Sequence, residues 1–378
     1  MAPSRPGDRP IHLGRRELLA ALASAGAGVA RAAATRAATA GAFDALAEPI
    51  GQALRAQHVP GAAVAIVPRD GVPWIRCFGQ ANLEHQVAVH EQTIFQSGSV
   101  GKQFVAALCL LLAEAGRLSL DDRVSRWGPV PAAWRRMTLR HLLSHTSGLP
   151  EDPPASQQDL RRDLDDARLW RLVTGLPLRS LPGARWSYSN AGYVLLGLLI
   201  GRITGRFYGD ELATRVFGPA GMATARVIDD TAIVANRAAG YLWQAGAWRH
   251  HDWVSATWNR TADGSLHLSI LDLVAWDRVM RGQTLLSPRS WQLAWAPVRL
   301  LHDGTAPYGL GWMLDPQGSR RRIHHDGQWQ GYTSWLGWYP EEGLSVALLT
   351  NLGDADPLSL GEMIAARAAA PDQRPRSD

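Results

Sequence analysis

Apolar residues recur at helical spacing over residues 43–57, with Phe43, Leu46, Ile50 and Leu54 on one side, and Val59-Pro60 ends the run. Residues 61–67 and 74–79 are short β-rich runs, and Pro68-Arg69-Asp70-Gly71 between them reads as a hairpin turn. A mixed connector over 80–98 follows. Residues 100–115 are then apolar almost all round, which predicts a buried helix stopped by Gly116. Helical signals dominate from Leu118 to about Leu300, over 139–143, 160–173, 191–203 and 271–280. From Tyr308 strand-like runs return at 309–314, 321–325, 334–339 and 344–349, with Pro340-Glu341-Glu342-Gly343 as a turn and 358–369 as a closing helix. This order predicts an α+β fold. Strands from both chain ends share one antiparallel sheet flanked by helices, and the middle forms a second, all-helical lobe with a cleft between the two. The mixed lobe takes about 41–98 and 305–370 and the helical lobe about 99–304, as one domain over 41–370, with no internal repeat.

The ends read differently. Arg15-Arg16 precedes the apolar run 18–30, too short to span a bilayer and suited to the core of an export signal, here of twin-arginine type, with small-residue cleavage sites up to Ala40. No cysteine lies in that leader, so a lipid anchor is not expected, and residues 371–378 read as a disordered tail. Export implies a periplasmic or secreted protein. Composition supports a globular body, at 46% hydrophobic and 19% charged. The leader also holds six of the arginines and only two acids, so its removal takes the formal charge from +5 to +1. With that, the case for a nucleic-acid partner disappears, since no later segment gathers a basic stripe with interleaved aromatics. Cys77 and Cys109 are the only thiols; they read as small core residues, with a disulfide possible in an oxidising compartment.

Only one of the 39 cationic residues is a lysine, Lys102. Arginine cannot give up its proton inside a protein, whereas a buried ammonium can do so near neutral pH and act as a base. Lys102 stands three residues after Ser99, at the start of the buried apolar helix, where helical spacing puts both side chains on one face. A helix N-terminus favours developing negative charge and disfavours a protonated amine, which suits a nucleophile beside a neutral base. Three further runs stand out: residues 139–150 with His141, His145 and a closing Gly-Leu-Pro; Tyr188-Ser189-Asn190 before a helix; and His325-Asp326-Gly327 at the end of a strand, followed by Gln328.

Taken in order, Ser99-x-x-Lys102, Tyr188-x-Asn190 and His325-x-Gly327 resemble the serine β-lactamase and penicillin-binding-protein superfamily, closest to its class C and esterase-like branch. Supporting runs are 59–64, 116–122, 141–150 and 308–312, so the resemblance covers about residues 45–352. It implies a two-lobed β-lactamase-like catalytic domain in which Ser99 attacks a carbonyl and forms an acyl-enzyme. Lys102 and Tyr188 would share the proton transfers, either being the base, and Asn190 would contact Lys102 and the substrate. The backbone N–H groups of Ser99 and Gln328 would form the oxyanion hole. His325 is a departure: many relatives carry a lysine there, whose charge holds a substrate carboxylate, whereas imidazole is mostly neutral at pH 7. This favours a small ester or a peptide-like amide over penicillin, as in an esterase or a D-amino-acid peptidase or amidase, with a weak β-lactamase as the remaining alternative, and with no metal and no cofactor.

Rival readings are a non-catalytic penicillin-binding or scaffold protein of the same fold, and an α/β-hydrolase esterase using Ser97-Gly98-Ser99-Val100-Gly101 as a near match to a nucleophile elbow. The long helical middle disfavours the second. A phosphate-binding loop fails because Gln stands at both 96 and 103, and a metal face built on His141 and His145 lacks the acid of a zinc-protease helix.

Overall fold

The structure, a computed structural model, describes residue 41 and residues 43–370 apart from 70–71, 153–158, 229–231, 252, 303 and 316–319; the expected leader and the tail from 371 lie outside the described residues. After a short 3-10 turn, α1 (Ala47–Ala56) leads into β1 (Gly61–Val67) and β2 (Trp74–Asn82), then into two-residue strands β3 (Val87–Ala88) and β4 (Phe95–Gln96). A 3-10 turn (Gly98–Gly101) opens α2 (Lys102–Glu114). The middle contributes α3 (Leu139–Leu143), α4 (Asp166–Thr174), α5 (Asn190–Thr204), α6 (Tyr208–Leu212), α7 (Ile270–Gly282) and α8 (Pro288–Ala294), with the short strands β5 (Arg226–Val227), β6 (Tyr241–Gln244), β7 (Ala247–His250), β8 (Leu266–Leu268), β9 (Val298–Arg299) and β10 (Thr305–Ala306) between them and after them. The C-terminal part supplies β11 (Met313–Asp315), β12 (Arg322–Trp329), β13 (Tyr332–Tyr339), β14 (Leu344–Thr350) and α9 (Pro357–Ala368).

Seven strands form one antiparallel sheet in the order β11-β12-β13-β14-β1-β2-β3, so the two chain ends meet where β1 pairs β14, with Ala62 opposite Thr350 and Val64 opposite Leu348. The alternation along β1 explains the layers. Ala62, Val64 and Ile66 face α1 and α9 together with Val346, Leu348, Leu360 and Ile364, whereas Ala63, Ala65 and Val67 face the core of the middle segment with Phe104, Val105 and Leu108 of α2. A strand buried on both faces reads as a continuous apolar run, which is what residues 61–67 show.

Several boundaries differ from the sequence expectation for local reasons. Helix α4 starts at Asp166, six residues later than the apolar periodicity implies, because the Asp165 side chain caps it by accepting from Arg168 N–H. β12 runs on to Trp329, so His325 and Gly327 lie inside a strand and not at its end. Residues 309–312 form a turn before β11. The helical lobe also carries short sheets, in which β8 (Leu266–Leu268) lies between β4 and Arg226–Val227, and Tyr241–Gln244 pairs with Ala247–His250. Cys77 and Cys109 are both free thiols.

Candidate active site

Ser99 sits in the 3-10 turn, and Lys102 is the first α-helical residue of α2. The tight turn brings them together: Lys102 Nζ lies 2.8 Å from Ser99 Oγ. Two other oxygens surround the amine, Asn190 Oδ1 at 2.8 Å and the Asp263 carbonyl at 2.5 Å. Both are acceptors only, and the Asn190 amide is held in that sense because its Nδ2 donates to Asp152 Oδ1 at 2.8 Å. A neutral amine has two N–H groups and one lone pair. With the two N–H groups engaged by Asn190 and Asp263, the lone pair is left facing the Ser99 hydroxyl.

The surroundings shift the amine toward that neutral form. Lys102 is fully buried, and burial lowers its pKa from 10.5 to about 8, with the carboxylates of Asp263, Asp152 and Asp326 opposing the shift. The Tyr188 hydroxyl also bonds Ser99, and burial holds its pKa well above the usual phenol range. Its ring stands 5.0 Å from Lys102 Nζ. Near neutral pH the tyrosine is therefore a proton donor, and the neutral fraction of the lysine, which grows as pH rises toward 8, is the available acceptor.

Asn190 opens α5, and the preceding Ser189 caps it by accepting from Gly192 N–H at 3.1 Å while donating to the Pro150 carbonyl at 2.7 Å. On the other side of the cleft, β12 passes close against the serine turn. A Cβ on Gly327 would lie 2.3 Å from the Ser97 carbonyl and 3.0 Å from Ser99 N, and one on Gly98, at φ +50°, would lie 2.5 Å from Gln328 N. This side-chain-free approach brings Ser99 N against Gly327 and Gln328 N against Gly98. The Gln328 side chain is turned away, donating to the Gly353 carbonyl at 2.6 Å.

His325 departs from expectation. Its ring is fully buried, with Nε2 on the Tyr308 hydroxyl at 3.0 Å and Nδ1 on the Asp326 carbonyl at 2.6 Å, so both nitrogens have protein partners. Burial lowers its pKa to about 4. The rings considered for a metal are engaged otherwise as well: His141 Nδ1 lies 3.1 Å from Thr138 N–H in the cap of α3, and His145 contacts Ser189 and Tyr308. Residues that motif reasoning passed over are Asp263, Asp152, Tyr308 and, as a member of this site, His145. His145 and Tyr308 lay in the runs 139–150 and 308–312, whereas Asp152 carried no signal. A separate cavity of about 690 Å³ lies between α4, α5 and residues 256–262 and is lined by neither Ser99 nor Lys102.

Known proteins resolve the ancestry of this arrangement. A family model described as Beta-lactamase matches residues 37–369. The chain belongs to the β-lactamase family. Among curated members, Penicillin-binding protein 4* of Bacillus subtilis (strain 168) is 29% identical over 72% of this chain and 64% of its own length. The D-aminopeptidase of Gluconobacter oxydans (strain 621H) is 27% identical over 84% of this chain and 61% of its own. The chain thus spans somewhat less than two thirds of each of these relatives. Among solved structures, the D-amino acid amidase from Ochrobactrum anthropi SV3, complexed with D-phenylalanine, superposes with a TM-score of 0.72 at 25% identity, covering 88% of this chain and 100% of that one. The α+β architecture with a sheet shared by both chain ends is the architecture of this family.

Proposed function

We propose that the protein is an exported serine hydrolase that cleaves an ester or amide through an acyl-enzyme on Ser99. The observation that carries this reading is the amine of Lys102, 2.8 Å from Ser99 Oγ, with two acceptor-only oxygens on its other sides. In the reaction, Lys102 takes the hydroxyl proton as Ser99 Oγ bonds to the carbonyl carbon, and the resulting oxyanion lies between the N–H groups of Ser99 and Gln328. When the tetrahedral adduct collapses, the C–N or C–O bond breaks. The leaving group takes a proton from Tyr188, which is replenished from Lys102. Water enters by the same route in reverse and releases the acid.

For the substrate, the relatives named for D-aminopeptidase and D-amino acid amidase activity support an amide or short peptide of a D-amino acid, with simple esters as alternatives. His325 supports the same choice, because a neutral internal ring offers no fixed charge to the carboxylate of a penicillin. The twin-arginine pattern supports export. The test is covalent labelling of Ser99 by a fluorophosphonate, followed by a panel of D-amino-acid anilides, short aryl esters and a chromogenic cephalosporin. Turnover of the first two groups that vanishes in Ser99→Ala is the expected result. No labelling and no turnover would favour the non-catalytic binder.

A further inference from the structure

The run 139–150 reaches the centre of the site. His145 follows α3 with φ +57°, in the left-handed region where a residue with a side chain is strained. From that position it holds the Tyr188 segment in three ways. Its carbonyl accepts from Ser187 N–H at 2.8 Å, its Nδ1 accepts from Ser189 N–H at 3.0 Å, and its ring packs on the Tyr188 ring with centroids 4.2 Å apart. The far nitrogen of His145, Nε2, lies 3.1 Å from the Tyr308 hydroxyl, which lies 3.0 Å from His325 Nε2. His325 Nδ1 ends the chain on the Asp326 carbonyl.

Both ends of this chain are backbone groups with one possible sense. The Ser189 N–H can only donate, so His145 Nδ1 bears no hydrogen, and the Asp326 carbonyl can only accept, so His325 Nδ1 bears one. With both rings uncharged, His145 Nε2–H donates to Tyr308, and the bare Nε2 of His325 is satisfied only if Tyr308 O–H donates to it. The Tyr193 hydroxyl donates to the Leu143 carbonyl at 2.9 Å and also bonds Tyr308, so it is a second acceptor open to the Tyr308 proton; donation to His325 is the order that leaves no imidazole nitrogen unpaired.

We propose that His145, Tyr308 and His325 form one uncharged strut with a single proton order, which holds the Tyr188–Asn190 segment against β12 at the separation the Ser99 chemistry uses. The three are positioning residues, and the kinetic part of the inference rests on the hydrolase reading above. The surroundings keep the rings uncharged. Burial lowers the pKa of both, and Lys102 from α2 and the other imidazole lower that of His145 further. At His325, Asp326 on its own strand favours the charged form, and Lys102 opposes it. Tyr188, Tyr193 and Tyr308 pack around His145 as protonated phenols.

The experiment has two arms. Imidazole nitrogen NMR on the full chain labelled with 15N-histidine, with His145→Gln and His325→Gln for assignment, reads the tautomers directly. The expected result is opposite neutral tautomers, Nε2–H at 145 and Nδ1–H at 325, unchanged from pH 6 to 8. Equal tautomers, or a charged ring at pH 7, would overturn the strut whether or not the protein is an enzyme. In the second arm, Tyr308→Phe removes one hydroxyl and no volume. We expect kcat to fall about tenfold with KM within about twofold, while Ser99 still labels to completion. Unchanged kcat in that variant would overturn the positioning role. A wild type that neither labels nor turns over any substrate, but shows the opposed tautomers, would sink the hydrolase reading and leave the strut standing.

Discussion

The pH dependence of acyl transfer follows from the burial of Lys102. With a pKa of about 8, roughly 9% of the amine is neutral at pH 7 and about 91% at pH 9, so kcat/KM should rise about tenfold between them. An unshifted lysine would be only about 0.03% neutral at pH 7, so burial raises the reactive population about 300-fold, equivalent to about 3 kcal/mol. Burial pushes the pKa of His145 and His325 down and that of Tyr188 up, away from pH 6–10, and it raises that of the Asp263 carboxyl. The assay is kcat/KM for an aryl ester and a D-amino-acid anilide at each pH, corrected for spontaneous hydrolysis. Asp263→Asn, which removes the charge contributing most to raising the lysine pKa, should move the midpoint below 8. Stability obeys the same linkage. Because the folded pKa lies below the unfolded one, the unfolded chain binds the extra proton between about pH 8 and 10.5, and this group makes the fold more stable as pH rises through that window. A flat rate profile, or full activity in Lys102→Arg, would refute the neutral-lysine mechanism.

Three further outcomes are expected. Gly327→Ala forces β12 away from Ser97 and should lower kcat/KM at least about 100-fold, as the loss of one oxyanion donor does, read as a slower acylation burst. Arg281 of α7 pairs with the buried Asp277 and donates to the carbonyls of Val67, Pro68 and Gly343 and to Ser345 Oγ, joining the helix to two turns of the sheet; Arg281→Ala should cost about 3–5 kcal/mol in urea unfolding with ester activity surviving below the transition. Burial raises the thiol pKa to about 11 at Cys77 and about 12 at Cys109, so the native protein should react negligibly with a thiol reagent at pH 7.5 and release two equivalents once denatured. A mass shift showing a disulfide would contradict this.

Much of this architecture was legible because the patterning was strong. The all-apolar run at 61–67 and the strand-like run at 344–349 marked the strands that join the chain ends, and the 13-residue apolar helix behind Lys102 marked the core. The nucleophile and its lysine were readable because arginine fills every other cationic position. What escaped was whatever depends on hydrogen bonds between distant segments. His325 was expected to face a substrate, since spacing tells which strand carries it but not that Tyr308, 17 residues earlier, occupies its Nε2. Asp263 acts on Lys102 first through its carbonyl, a group every residue has, so no side-chain pattern could announce it. The 3-10 geometry at Ser99 escaped too, being set by the approach of β12 and not by helix propensity.

The pairing of β1 with β14 has a consequence for how the chain reaches its native state. Ala62 meets Thr350 across nearly the whole domain, so β1 stays without one of its two neighbours until β14, near the end of the domain, is available. A growing chain emerging from the ribosome can assemble helices α2 to α8, but it carries the β1–β2 hairpin with an open apolar edge throughout. Folding should accordingly be slow and governed by long-range closure, and fragments lacking β12 to β14 should aggregate and not persist as half-domains.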